Sequence, residues 1–118
     1  MKKMNSKQKG KHGELEFANF CKKYGYDVRR TAQYNGKELD SKADVVGLPM
    51  VHVEVKRVEK LNIHDAIKQA IRDNKTNDLP IVAHRKNNTE WLITMVADDW
   101  FSIYSKFLER MEVKDENS

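Results

Sequence analysis

Apolar residues recur at steps of three and four through residues 11–24, where Leu15, Ala18 and Cys21 interleave with Phe17, Phe20 and Tyr24. That spacing predicts a helix, and Gly25 stands where a left-handed residue would end it. Residues 26–30 read as a short strand and 31–42 as a polar loop through Asn35-Gly36. Two β-rich runs, 43–47 and 51–58, flank Leu48-Pro49-Met50 and predict an antiparallel hairpin. Asn62 is placed to cap a helix in which Ile63, Ala66, Ile67, Ala70 and Ile71 keep helical spacing. Residues 79–85 predict a strand with Pro80 at its start or on a sheet edge. A turn at 86–89 leads to a strand over 90–96. Asp98 then caps a last helix with Trp100, Ile103, Tyr104, Phe107 and Met111 on one face. The order α-β-β-β-α-β-β-α predicts an α/β fold, a mixed central β-sheet flanked by helices.

Length and charge refine this picture. The 118 residues suit a single domain. No run approaches the roughly 18 apolar residues of a membrane span, and no membrane association is expected. Cys21 is the sole cysteine, so an intramolecular disulfide and a cysteine-built zinc cage are excluded. An intracellular, cytoplasmic protein is the expectation. The net charge is +4, and Lys2, Lys3, Lys7, Lys9 and Lys11 fall in the first eleven residues with no acid among them. A flexible basic arm over 1–9, one domain over 10–110 and a frayed tail over 111–118 follow. A basic arm suits a polyanionic partner such as nucleic acid.

The run Val51-His52-Val53-Glu54-Val55-Lys56 carries the candidate chemistry. Strand alternation sends Val51, Val53 and Val55 inward and leaves His52, Glu54 and Lys56 on the other face. In a hairpin centred on Pro49, partners whose numbers sum to 98 set Asp44 opposite Glu54. Directly opposed carboxylates repel, and a cation between them or a raised pKa relieves the conflict. Hard oxygen donors without paired Cys or His favour Mg²⁺, with Mn²⁺ as a substitute. A metal beside a lysine suits phosphodiester hydrolysis. His52 shares the face of Glu54 and reads as a hydrogen-bonded surface histidine, with a place in the site as the alternative; Gln69 lies off the apolar stripe and is either solvent-exposed or a polar residue of the site; Arg57 reads as without a catalytic role, and Trp91 and Trp100 as core.

Asp44-Val45-Val46 followed by Glu54-Val55-Lys56 resembles the PD-(D/E)xK nuclease signature, with Ala43 where the proline would stand. Together with the opening Lys9-Gly10-Lys11-His12-Gly13-Glu14 and with Val28-Arg29-Arg30-Thr31, it is similar to archaeal-type Holliday junction resolvases and their phage-encoded relatives, over roughly residues 9–100. The resemblance implies a restriction-endonuclease-like core and a DNA endonuclease acting as a homodimer on four-way junctions. It implies metal ligation by Asp44, Glu54 and the Val55 carbonyl, with Glu14 completing the acidic site and Lys56 as the catalytic lysine. DNA contacts would come from Lys9, Gly10, Lys11 and Arg30, with Arg29 as the neighbouring alternative. Asp40 competes with Asp44, and Glu16 with Glu14. A flap- or duplex-cutting nuclease and a non-catalytic nucleic-acid-binding module are the other readings.

Overall fold

The computed structural model describes residues 6–31, 33–34, 37–38 and 43–116, with side chains over 8–31 and 43–112. Helix α1 spans Ser6–Lys22, so it begins inside the stretch expected as a flexible arm. Its buried stripe is Gly13, Phe17, Ala18 and Cys21, whereas Leu15, expected in that stripe, is 42% exposed. Gly13 sets the difference. A Cβ there would stand 2.6 Å from the Arg57 Cβ, so the missing side chain lets the helix press directly onto the sheet. Gly25, at φ +89°, ends the helical turn as its position predicts.

Of the expected 26–30 strand, only β1 (Arg29–Arg30) pairs, and the following polar loop contains β2 (Gln33–Tyr34) and β3 (Lys37–Glu38), a small antiparallel ribbon. Strands β4 (Val45–Val46) and β5 (Val51–Arg57) form the expected hairpin. Val45 stands opposite Val53, the register in which partners sum to 98. Gly47 follows β4 at φ +116°, and a Cβ there would come within 2.8 Å of the Val28 Cα. The chain before β1 therefore lies directly against the end of β4.

Helix α2 (Ile63–Asp73) starts as predicted, with Asn62 Oδ1 accepting the Asp65 N–H at 3.1 Å. It crosses over to β6 (Leu79–Arg85), which runs parallel to β5. β7 (Leu92–Met95) then pairs antiparallel with β6. The five-stranded sheet has the order β1-β4-β5-β6-β7. Pro80 lies at the start of β6, ahead of the Ile81–His84 stretch that β7 pairs, so its missing N–H breaks no rung there. One core joins α1 to the sheet through Phe17, Cys21, Val28, Val45, Val53, Val55 and Ala83. Trp91 packs against it, 5.0 Å from Phe17 between ring centres. A second core joins Ala66 and Ala70 of α2 to Val82.

Helix α3 (Ala97–Glu116) runs through residues expected to fray. Its apolar side chains Trp100, Phe101, Ile103, Tyr104, Phe107, Leu108 and Met111 are 40–59% exposed, so Trp100 is not a core residue. Among the described residues, no helix is long and apolar enough to cross a membrane.

Candidate active site

The β4–β5 hairpin fixes two carboxylates. Asp44 immediately precedes β4, where its N–H donates to the Val53 carbonyl at 2.9 Å and its own carbonyl accepts the Thr31 N–H at 3.0 Å. Its Oδ2 accepts the Val55 N–H at 2.8 Å. The aspartate is thus held by backbone on three sides, which aims its carboxylate along β5. Asp40, the competing aspartate, lies outside the described residues.

Glu54 is 1% exposed, and neither of its carboxylate oxygens has a hydrogen-bond partner. Alternation set Glu54 on the face opposite the valines without saying what covers that face; β5 lies between β4 and β6 with α2 packed over it. Strands in a parallel pair are commonly buried on both faces. Burial pushes the Glu54 carboxyl up to about 8, the Asp44 carboxylate adds to the rise, and the Lys56 ammonium opposes it. Lys56, half-buried two residues on, makes no hydrogen bond or ion pair with any described residue. A buried carboxylate facing a second one, with unpaired oxygens and an available ammonium beside it, is a costly arrangement unless a cation joins it. Shifts of this origin concentrate at functional sites.

Glu14 reaches the same neighbourhood from α1. Its Oε2 accepts from Arg30 Nε at 2.6 Å. Burial raises its carboxyl above the ordinary range against the pull of Arg30, and the Asp44 charge acts in the same direction as burial. Glu16 is engaged elsewhere, accepting from Arg57 Nε at 2.9 Å and Arg85 Nη1 at 2.7 Å. It ties α1 to β5 and β6, and Arg57 serves that tie. Geometry therefore favours Glu14 over Glu16 as the acidic neighbour of Asp44.

The expected DNA-contacting residues divide. Arg30 joins Glu14, whereas Arg29 is exposed and donates from Nη1 to the Arg30 carbonyl at 3.2 Å. Lys9, Gly10 and Lys11 are exposed on α1. Lys9 borders an open groove of about 670 Å³ with His12, Arg57, Glu59 and Asn87, and none of Asp44, Glu54 or Lys56 lines it. Gln69 is half-buried rather than solvent-exposed.

His52 is the residue that sequence reasoning misplaced. It is 4% exposed, its Nε2 has no hydrogen-bond partner, and that nitrogen stands 3.9 Å from Glu54 Oε1. Burial lowers its pKa, while Asp73, Asp44 and Asp78 pull it the other way.

Among the described residues, no three His, Cys, Asp or Glu side chains converge to cage a cation unaided. The oxygens of Asp44 and Glu54 nonetheless suit a hard dication that completes its shell with backbone carbonyl, water and phosphate. The unpartnered Glu54 oxygens are the observation that supports the fit.

The search of curated proteins finds no match. The family described as phage putative PDDEXK endonuclease matches residues 5–117, a span that includes the opposed Asp44 and Glu54, Lys56 and the whole five-stranded sheet. The chain belongs to the phage putative PDDEXK endonuclease family, within the PD-(D/E)xK nuclease superfamily.

Proposed function

We propose that the protein is a Mg²⁺-dependent DNA endonuclease, with Mn²⁺ as a substitute, that resolves four-way junctions as a homodimer in the cytoplasm. The observation that carries the nuclease reading is the buried Glu54 carboxylate, unpartnered and opposed by Asp44 beside Lys56. Asp44, Glu54 and the Val55 carbonyl would hold the cation, with Glu14 at its margin. A dication there supplies Lewis acidity toward a phosphodiester. Lys56 positions the attacking water and offsets the charge that develops on the phosphate oxygens. Arg30 holds Glu14 in place, and Lys9, Gly10, Lys11 and Arg29 receive the phosphate backbone, which fixes position without reading sequence.

Two observations favour the junction and the dimer. The sequence resembles junction resolvases from residue 9 to residue 100, and a four-way junction presents two equivalent strands that a two-fold pair of sites can cut. Helix α3 offers a surface for such a pair. Apolar positions 100, 104, 107 and 111 follow the four-three-four spacing of a helix seam, and β7 adds exposed Leu92 and Ile93. Exposed apolar patches of this kind mark association surfaces, and a two-fold pairing is the commonest solution for identical chains.

The test is cleavage in Mg²⁺ of a four-way junction, linear duplex, flap and single strand at equal concentration. Paired symmetric nicks on the junction alone support the full proposal. Cutting of flaps or duplex keeps the nuclease and discards the junction. Binding with no cutting of any substrate, at any metal concentration, replaces it with a binding module.

A further inference from the structure

The turn Leu48-Pro49-Met50 and the connection from α2 to β6 border a cavity of about 430 Å³ that the proposed cleavage chemistry does not use. Its two walls are fastened together. The Leu79 N–H donates to the Met50 carbonyl at 2.9 Å, and Met50 is held at a φ of 71° that residues with a side chain seldom adopt. In the other wall, Asn74 Oδ1 accepts from the Thr76 N–H at 3.3 Å and from its hydroxyl at 3.0 Å. The Thr76 hydroxyl oxygen in turn accepts the Asp78 N–H at 3.0 Å. The cavity is therefore formed in advance of any ligand, and its volume is that of a small-molecule site.

Its lining combines apolar surface with acceptors. Leu48, Pro49 and Met50 give the apolar side. Asp73 and Asp78 line it from the other wall, and both act electrostatically on His52. The Asp78 carboxylate has no hydrogen bond or ion pair with any described residue, and the Asp73 carboxylate has only Arg72, 3.5 Å away. His52 lines the cavity as well; it is 4% exposed and its Nε2 has no partner. Native interiors rarely leave a polar atom so. Two carboxylates repel a phosphate, and among the described residues no three His, Cys, Asp or Glu side chains converge to hold an ion. What fits is a flat, uncharged group with amino hydrogens to donate, the chemistry of adenine, cytosine and guanine but not of thymine.

We infer that this cavity receives a nucleobase extruded from the DNA beside the phosphodiester that is cut, and that Asp73 and Asp78 select bases bearing an exocyclic amino group. This rests on the nuclease reading above and adds base selection to it.

The two sites are neighbours. Ala43 lines the cavity and Asp44 follows it in the chain. His52 lies two residues before Glu54 on β5, about 7 Å at roughly 3.3 Å per residue, a span that one unstacked nucleotide bridges. An extruded base is read by hydrogen bonds to its polar edge and by packing against apolar side chains, and the thioether of Met50 suits the face of a ring. Extrusion costs least where pairing is already disturbed, as at the branch point of a junction.

The experiment uses the full chain at saturating concentration in a chelating buffer, bound to junctions carrying 2-aminopurine at successive positions around the cut site mapped in Mg²⁺. This base brightens when it leaves the stack, and it bears an amino group of its own. One position beside the cut should brighten on binding, and Lys75→Phe, which fills the cavity from an exposed position, should abolish the rise. In Mg²⁺, junctions with adenine or cytosine at that position should be cut at least about fivefold faster than those with thymine, and Asp73→Asn with Asp78→Asn should erase the difference. No brightening at any position, in a complex that Mg²⁺ then cuts, would overturn the base pocket and leave the nuclease standing. Equal cutting of thymine and amino-bearing junctions by the unmodified protein would do the same, as would brightening that survives Lys75→Phe. Free adenosine bound in the cavity with the labelled DNA unchanged would assign it to a soluble nucleoside and overturn the extruded base. A protein that neither binds nor cuts DNA would remove the nuclease reading and this one together. The fluorescence of the unmodified protein's complex needs no variant, so a variant that fails to fold does not protect the inference.

Discussion

Replacing Glu54 by Gln should stabilise the metal-free protein at alkaline pH while destroying its response to metal. In the fold, the carboxyl is raised from an ordinary 4.5 to about 8. A carboxyl raised in this way favours the folded state most below the unfolded value. That advantage is lost as pH climbs from about 4.5 through 8, and above 8 the full cost of a buried charge is present. At about 1.36 kcal/mol per unit, a rise in this direction for a carboxyl only 1% exposed costs the folded protein on the order of a few kcal/mol. Gln keeps the shape and discards the charge. Relief of even about 2 kcal/mol would raise the Tm by roughly 6–10 °C in a chain of this length. Thermal melts in a chelating buffer at pH 5 and pH 9 measure the effect. The variant should match the unmodified protein at pH 5 and exceed it at pH 9. Added Mn²⁺ should then raise only the unmodified protein. A Glu54→Gln protein no more stable than its parent at pH 9, both without metal, would refute the claim that Glu54 is buried without a partner.

Three further outcomes are expected. Lys56→Ala should reduce junction cleavage by at least about a hundredfold with DNA binding retained in a gel-shift assay, and retained cleavage would remove Lys56 from the chemistry. Lys9→Ala with Lys11→Ala should flatten the dependence of log Kd on log salt by up to about two phosphate contacts' worth, measured by fluorescence anisotropy; an unchanged slope would place DNA elsewhere. Trp100→Glu with Phe107→Glu should convert a dimer to monomer in sedimentation with the Tm of the monomer little changed, because neither side chain belongs to a buried core.

The hairpin register and the helix over 63–73 were legible in the sequence because both rest on local rules. The turn at Pro49 fixes the sum of partners at 98 and so opposes Asp44 to Glu54. An uninterrupted helical spacing plus an Asn cap fixes α2. Burial at His52 and Glu54 was not legible, and for a different reason. Alternation states which side chains share a face but not whether another element covers it, and that depends on β6 arriving parallel from 28 residues along the chain. The α1 stripe was misplaced because apolar Leu15 outweighed Gly13 in the pattern, although the close approach to Arg57 selects the residue with no side chain. The β2–β3 ribbon carried its own signal, Asn35-Gly36 between short polar strands, which is weak without an apolar face to anchor it. The pairing of Glu14 with Arg30 and of Glu16 with two arginines joins residues 16 to 69 positions apart, and periodicity is silent at that range.

Gly47 has a consequence for how this protein tolerates sequence change. It contributes no functional group, yet any side chain at that position collides with the backbone at Asp27 and Val28, and its φ of +116° is one that other residues rarely adopt. The displaced segment would carry Arg30 away from Glu14 and loosen the Thr31 bond to Asp44. In a saturation library scored by cleavage, position 47 would therefore look as intolerant as position 44. Scored by the amount of folded protein in the cell, the two would separate, since Asp44→Asn leaves the hairpin able to form and Gly47→Val does not. Selection thus falls as heavily on a residue that carries no functional group as on the aspartate beside it.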